Sequence, residues 1–152
     1  MSNAVTDCSS NNEIVNEYFQ VIRIIDGDTF CIDDGSEKGC KVRLAGIDAP
    51  ESRKSYKKNV QYYGPESTLQ LAKLSLGKFV RLEYDIEKYD RYGRTLAYVF
   101  LKDGTFINAQ LIKEGYAVVM TIPPNVKYAD QFVRLQKNAR KKAKGLWRKP
   151  VQ

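Results

Sequence analysis

The sequence predicts an α+β protein in which a small five-stranded antiparallel β-barrel carries three helices. Two observations support this fold class. Five short stretches rich in β-branched and aromatic residues, which favour strands, are separated by turns that contain glycine. Three stretches with apolar residues at helical spacing interrupt or follow them, without the regular strand–helix alternation of a parallel sheet. At 152 residues the chain is long enough for one domain with a substantial core.

The strands are predicted from composition and from the turns between them. A turn region from Asp34 to Gly39 joins the second strand to the third, and the turn DRYGR at 90–94 precedes the fifth. Between the third strand and the first helix, residues 48–64 are expected to form a long surface loop, and such loops in compact domains are usually functional. The five predicted strands are 17–26, 28–33, 40–47, 78–87 and 95–101.

Each helix is predicted from apolar residues on one face followed by a glycine stop. The first begins near Pro65, which suits a first helical turn, and ends at Gly77. The second ends at Gly115, and the third covers about 127–144 before Gly145. A five-stranded barrel with such helices is the OB-fold architecture, which often binds nucleic acid. The apolar positions are, helix by helix, Leu69, Ala72 and Leu76; Ile107 and Leu111; and Tyr128, Phe132, Leu135, Ala139 and Ala143.

The chain is predicted to be one folded domain behind a short leader. Residues 1–16 are polar and lack the apolar stretch of a signal peptide, so we expect a disordered leader whose first four residues, MSNA, resemble a cloning remnant. The folded domain is expected over residues 17–150. No stretch approaches the roughly 18 apolar residues that a membrane span needs, so no membrane span is predicted.

Charge and the absence of histidine limit the possible functions. The net charge of +7 favours binding to polyanions, of which nucleic acid is the commonest, although a basic surface also simply improves solubility. The chain has no histidine, which excludes Ser-His-Asp and Cys-His catalysis and histidine-bound zinc. Any chemistry must therefore use carboxylates, arginine, lysine, tyrosine or a metal ion.

The three cysteines leave two structures open. No Cys-x-x-Cys pair is present, which argues against zinc and thioredoxin-type sites. Cys31 and Cys40 flank a predicted hairpin turn, where they could form a disulfide or remain two half-buried thiols. Cys8 lies in the leader.

Acidic residues stand at the ends of predicted strands. Asp26 and Asp28 lie at the junction of the first two strands, and Asp48 follows the third. Neighbouring strands would bring Asp28 and Asp48 together, and two close carboxylates persist only with a cation or a proton between them. Oxygen ligands without nitrogen or sulfur favour Ca²⁺ or Mg²⁺ over zinc.

Two arginines complement these acids. The guanidinium groups of Arg43 and Arg94 each match two phosphate oxygens, and with a cation they would stabilise the charge that develops when water attacks a phosphodiester. Glu51 is the carboxylate left to activate that water. Each feature also has a plain structural reading: a turn at Asp26, an ion pair within the sheet at Arg43, and a hairpin at DRYG.

Three segments carry a resemblance to a known family. IIDGDTF at 24–30, VRLAGIDAPE at 42–51 and DRYGRTLAYV at 90–99 resemble, in order and spacing, the signature segments of staphylococcal nuclease-like (thermonuclease) proteins. YGPES, LIKEGYA and AKGLW also resemble the family, so that the likeness extends from about Val21 to Trp147.

The resemblance implies an OB-fold barrel with three helices and Ca²⁺-dependent hydrolysis of DNA and RNA that leaves 3′-phosphates. It also implies a protein that is secreted, periplasmic or on the cell surface, and monomeric. Its residue roles fall as follows: calcium ligands Asp28, Asp48 and the backbone carbonyl of Ala49; outer-shell acid Asp26; phosphate-binding Arg43 and Arg94; general base Glu51; and contacts to another phosphate of the nucleotide from Arg91 and Tyr92.

The chain departs from the family near the expected nucleotide pocket. Residues 121–124 read TIPP, where family members have tyrosines. Tyr56, Tyr62 and Tyr63 could supply aromatic surface instead, or could simply pack within their loop. The alternative function is a catalytically silent nucleic-acid-binding barrel, but the complete set of acids and arginines favours the enzyme.

Overall fold

The computed structural model describes residues 17–52 and 61–148. The predicted leader at 1–16 with Cys8, the basic loop residues 53–58 with Tyr56, and the last residues of the predicted domain, 149–150, lie outside the described residues. Within the described ranges, no helix is long and apolar enough to cross a membrane.

A closed barrel of five strands forms the centre of the molecule. The strands are β1 (Phe19–Asp26), β2 (Thr29–Ile32), β3 (Cys40–Leu44), β4 (Ile47–Asp48), β5 (Phe79–Glu83), β6 (Thr95–Leu101) and β7 (Val118–Val119), and the helices are α1 (Gly64–Ser75), α2 (Ile107–Lys113) and α3 (Ala129–Lys141). The barrel strands follow the order β1-β2-β3-β6-β5, and β5 pairs with β1 to close the barrel. This confirms the predicted α+β fold class of a five-stranded barrel with three helices.

One ladder of the barrel differs from the prediction of antiparallel pairing. β3 and β6 run parallel, with Arg43 opposite Leu96, whereas the other barrel ladders are antiparallel. Parallel neighbours require a long crossover connection. Here the crossover is the chain that contains α1 and β5, which returns the polypeptide to the other end of the barrel before β6 begins.

A two-stranded sheet beside the barrel was not predicted. The predicted third strand breaks after Leu44, and β4 (Ile47–Asp48) pairs with β7 (Val118–Val119) instead. The break lies at Gly46, which has a φ of 81° and packs against the ring of Phe132 on α3. A Cβ at Gly46 would lie 2.7 Å from Cε2 of Phe132, so that only glycine fits this turn. The turn directs Asp48 away from the barrel ladder.

The core lies inside the barrel and beneath the helices. Helix α2 buries Ile107 and Leu111, as its pattern predicts. The buried face of α3 includes Phe132 and Ala139, also as predicted, but α3 ends at Lys141, so that Ala143 is exposed beyond it. The buried apolar side chains of the barrel strands are Val21, Phe30, Cys31, Ile32, Val42, Leu44, Val80, Ala97, Tyr98 and Val99.

Helix α1 buries the opposite face from the one that its apolar residues predict. Leu69 and Leu76 are 66% and 49% exposed. The buried residues of this helix are one leucine and three small residues: Leu71, Gly64, Ser67 and Ser75. Close approach to the barrel explains the small residues, because a Cβ on Gly27 would lie only 3.0 Å from the Cβ of Ser67.

Both structures left open for Cys31 and Cys40 are wrong: the two do not pair with each other, and Cys40 is not a free thiol but is disulfide-bonded. In the β2–β3 ladder Cys31 lies opposite Lys41, and Cys40 lies opposite Ile32. Since neighbouring residues of a strand point to opposite faces, the two cysteine side chains lie on different sides of the sheet. Cys31 is a buried free thiol.

Candidate active site

Asp28 lies in the turn immediately before β2 and is held in a nearly buried position. Its Oδ1 accepts a hydrogen bond from Oγ1 of Thr29 at 2.9 Å, and its Oδ2 accepts one from the backbone N–H of Ala49 at 2.8 Å. Gly27 permits this contact, because a Cβ there would lie 2.8 Å from the Cβ of Ala49. Asp28 and Ala49, 21 residues apart in the sequence, are thus packed together.

Arg43 on β3 lies between two carboxylates. Its Nη1 donates to the backbone carbonyls of Leu44 and Ile47, both at 2.8 Å. Its Nη2 lies 3.2 Å from Oδ1 of Asp48 and 3.4 Å from Oδ2 of Asp28. One nitrogen atom therefore faces carboxylates from two different strands. The convergence of Asp28 and Asp48 that the strand ends predict is present, with Arg43 at its centre.

Glu51 is held by its backbone against the start of α1. Its N–H donates to Oε1 of Gln61 at 2.9 Å, and its carbonyl accepts from the N–H of Gln61 at 2.8 Å. A Cβ on Gly64 would lie 2.0 Å from the same carbonyl, so the helix approaches this closely only because residue 64 is glycine. The neighbouring Ser52 donates from Oγ to Oδ1 of Asp26 at 2.7 Å, which connects Asp26 to the same region.

Arg94 belongs to a second group, in the turn that precedes β6. Its Nε donates to Oδ2 of Asp90 at 2.7 Å, while Oδ1 of Asp90 accepts from the N–H groups of Tyr92 and Arg94, both at 2.9 Å. Leu96 lies opposite Arg43 in the parallel ladder. Arg94 immediately precedes Thr95, the first residue of β6, so this turn lies at the end of β6 where the ladder with β3 begins.

The aromatic ring of Tyr92 completes the turn. It is 71% exposed. The guanidinium of Arg91 lies 5.3 Å from the ring centre, and that of Arg94 lies 5.5 Å from it. Two cations and an open aromatic face are therefore presented together, a combination suited to a nucleotide.

A hydrogen-bond network holds Asp85, in the segment between β5 and this turn. Burial acts to raise the pKa of Asp85, but hydrogen bonds from Oη of Tyr98 and from the N–H groups of Lys127 and Ile86 lower it below its usual range. The pKa of Tyr98 is raised, first by burial and then by its bond to Asp85.

The predicted site residues thus form two groups. Asp26, Asp28, Arg43, Asp48, Ala49 and Glu51 surround the junction of β2, β3, β4 and α1, and Arg91, Tyr92 and Arg94 share the neighbouring turn. Sequence reasoning missed Gln61, Ser52 and Gly64 as supports of this site. The signal for Gly64 was its place in YGPES, which indicates a helix start but not a contact with Glu51.

The acidic side chains of the site do not form a larger metal-binding cluster among the described residues. Among residues 17–52 and 61–148, no three or more histidine, cysteine, aspartate or glutamate side chains are grouped as a metal site would group them. The arrangement found is a pair of aspartates with Ala49 packed against one of them.

Comparisons with known proteins identify the family. The model of the family described as "Staphylococcal nuclease homologue" matches residues 41–149. The chain belongs to the staphylococcal nuclease family. A thermonuclease of Staphylococcus intermedius is 45% identical over 139 residues, which cover 91% of this chain and 80% of that protein. A thermonuclease of Staphylococcus hyicus is 43% identical over 130 residues, covering 85% of this chain and 75% of that protein.

A further relative carries an endonuclease name. Endonuclease YncB of Bacillus subtilis is 36% identical over 129 residues, which cover 84% of this chain and 60% of that protein. These family members support a nuclease, an enzyme that hydrolyses phosphodiester bonds and takes nucleic acid as its substrate.

Proposed function

We propose that this nuclease depends on Ca²⁺ and hydrolyses both DNA and RNA to products with 3′-phosphates. The observation that carries the proposal is the convergence of Asp28 and Asp48 on one nitrogen of Arg43. The two carboxylates can bind a cation, and the guanidinium of Arg43 beside them can bind a phosphodiester at the same place.

The donor set fits a hard cation. Asp28, Asp48 and the backbone carbonyl of Ala49 would hold it, with Asp26 in its outer shell, and all of these donors are oxygens, the ligand type that Ca²⁺ prefers. A calcium ion bound there would supply positive charge to the phosphate oxygens and to the attacking water. The hydrogen bond from Ala49 N–H to Asp28 keeps two of these donor residues in register before any ion binds.

The two arginines are proposed to bind the phosphate. Arg43 is oriented by the carbonyls of Leu44 and Ile47, which leave its Nη2 directed towards the acids and the substrate. Within residues 17–52 and 61–148, the side-chain hydrogen bond of Arg94 is the one from Nε to Asp90, so that Nη1 and Nη2 can be directed at a phosphate. Donors placed in advance around a phosphoryl group stabilise the charge that develops in the transition state.

Glu51 is proposed to act on the attacking water, as general base or by orienting it. The two hydrogen bonds between the backbone of Glu51 and Gln61 fix the position of this residue beside the start of α1. A carboxylate is the group available for this task in a chain without histidine. Arg91 and Tyr92 are proposed to contact a second phosphate and its nucleotide.

A site with two aspartates binds calcium with modest strength, which suits the high calcium concentrations found outside cells. We therefore propose that the enzyme is secreted or lies at the cell surface. We also propose that it acts as a monomer.

The test is a Ca²⁺ titration of nuclease activity on plasmid DNA and on RNA, beside the Asp48→Ala variant. We expect turnover that saturates with Ca²⁺, that stops with chelator and that falls at least about 10³-fold in Asp48→Ala. Product ends are checked by labelling before and after phosphatase treatment, with label on the 3′ ends expected only after the phosphate is removed. Undiminished activity in chelator would contradict the metal assignment. Tight binding without turnover at any Ca²⁺ concentration would instead support the silent barrel.

A further inference from the structure

A row of three tyrosines begins at Tyr62, next in the chain to the residue that holds Glu51. Tyr62 follows Gln61, the residue whose backbone and side chain both bond to Glu51. The ring of Tyr62 is 5.6 Å from that of Tyr63, and the ring of Tyr63 is 5.5 Å from that of Tyr116. Tyr62 ends the row and is 45% exposed.

The exposed ring is held in place. Besides its contact with Tyr63, the Oη of Tyr62 donates to the backbone carbonyl of Arg148 at 3.2 Å. A ring fixed at its edge and at its hydroxyl loses little conformational entropy when a ligand stacks on it. Tyr63 behind it is more enclosed, and burial raises its pKa.

A cationic residue adjoins this ring. Arg148 is exposed, and because its backbone carbonyl accepts the hydrogen bond from Tyr62, its side chain begins next to the row. Its positive charge also lowers the pKa of Tyr63, against the larger effect of burial. An open aromatic face beside an arginine is the pair of features by which proteins bind single-stranded nucleic acid. The turn at 90–94 has the same combination of an exposed ring, Tyr92, and nearby arginines, Arg91 and Arg94.

We propose that Tyr62 and Arg148 form a second nucleotide subsite, in which a base stacks on the Tyr62 ring and Arg148 contacts an adjacent phosphate. The proposal rests on the proposed function and specifies its substrate as a single-stranded polynucleotide. The strand passes Tyr92 and Arg94, presents the scissile phosphate between Arg43 and Glu51, and continues over Tyr62. Bases on both flanks of the cleaved bond are thereby held.

The first experiment compares Tyr62→Ala with Tyr62→Phe on a single-stranded DNA oligonucleotide with one preferred cleavage position. Loss of one stacked base corresponds to a rise in KM of roughly 5- to 100-fold for Tyr62→Ala, with a smaller change in kcat. Tyr62→Phe keeps the ring and should recover most of the affinity. The matched control is Phe79→Ala, which removes a similarly exposed ring on β5, away from Glu51, and should leave KM unchanged.

The second experiment moves an abasic nucleotide along the same oligonucleotide. The wild-type enzyme should lose affinity when the abasic position falls on Tyr62, and Tyr62→Ala should not distinguish that position from a normal nucleotide. Tyr62→Leu repeats the comparison with a larger apolar side chain that has no aromatic ring, in case alanine disturbs the fold. An identical abasic profile in wild type, Tyr62→Ala and Tyr62→Leu would overturn the proposal.

The third experiment concerns the cation. Arg148→Gln should reduce the slope of log affinity against log salt by about 0.7 for single-stranded DNA, the value for one lost phosphate contact. Arg134→Gln, which removes an exposed charge on α3, should leave the slope unchanged. An equal slope in Arg148→Gln and wild type would remove Arg148 from the subsite. If the wild type shows no Ca²⁺-dependent cleavage, the proposed function fails; cleavage with an unchanged Tyr62→Ala profile removes only the subsite.

Discussion

The two arginines of the site are held in opposite ways. The side chain of Arg43 is 11% exposed and contacts two carbonyls and two carboxylates, which come from four different positions along the chain. The side chain of Arg94 is 33% exposed and bonds to one carboxylate of its own turn. Arg43 is thus part of the fold around the site, whereas Arg94 is carried by a local turn.

The two arginines therefore differ in mobility: the guanidinium of Arg43 is fixed, and that of Arg94 can adjust. A buried guanidinium with fixed partners provides charge at a set position and needs no reorganisation when substrate binds. A guanidinium held at Nε alone can adjust its outer nitrogens to a phosphate. A substitution at Arg43 should therefore affect both folding and activity, and a substitution at Arg94 should affect activity alone.

Arg43→Lys is expected to have the largest effect. An ammonium group cannot reproduce the planar fork, so at least one carbonyl or carboxylate loses its partner in a nearly buried place. We expect the free energy of unfolding to fall by about 1–3 kcal/mol. We expect kcat to fall by about 10³-fold. Urea unfolding and single-turnover kinetics measure the two quantities; unchanged stability would show that Arg43 is not a structural group.

Arg94→Lys is expected to reduce turnover by about 10²-fold, because the two-pronged contact with phosphate is lost. The free energy of unfolding should change by less than about 1 kcal/mol, since the ion pair with Asp90 is partly exposed. Arg81→Lys is the control: Arg81 pairs with Glu83 on β5, and its replacement should leave turnover unchanged. A near-normal rate in Arg94→Lys would remove the difference between the two arginines.

Tyr98→Phe tests the hydrogen-bond network of Asp85, in the segment that leads to the Arg94 turn. Its effects on stability and turnover are expected to be smaller. Removal of the hydroxyl takes one hydrogen bond from Asp85 and should lower the free energy of unfolding by about 1–2 kcal/mol at pH 7. Turnover should change by less than about tenfold, because the hydrogen bonds of Asp90 within the turn remain.

The pH dependence of that loss follows from the sign of the shift. The folded-state pKa of Asp85 is lowered from its ordinary value of 3.8, so its contribution to stability is present above that value and is lost as the pH falls through the folded pKa. The difference between wild type and Tyr98→Phe should therefore be largest near neutral pH and shrink below about pH 4. Urea unfolding from pH 2.5 to 8 measures it; a difference that grows in acid would contradict this assignment.

Local patterns predicted much of the fold. The five barrel strands and the apolar faces of α2 and α3 follow from composition and period, because each is set by neighbours in the sequence. Helix α1 could not be predicted in the same way. Its buried face combines Leu71 with three small residues, and one of these, Ser67, is buried where the β1–β2 turn at Gly27 approaches the helix closely.

The sequence by itself determined the class of chemistry: no histidine, a basic surface, and acids and arginines placed at strand ends and turns. Charge and residue type belong to each residue wherever it lies, so they can be read without coordinates. Only the tertiary structure decided which of these groups meet. The parallel β3–β6 ladder places Leu96, two residues after Arg94, opposite Arg43, and after the break at Gly46 the carboxylate of Asp48 meets Arg43 together with that of Asp28. Gln61 and Gly64 hold Glu51 against α1. These contacts join residues far apart in the chain, and their geometry depends on packing that no local pattern contains.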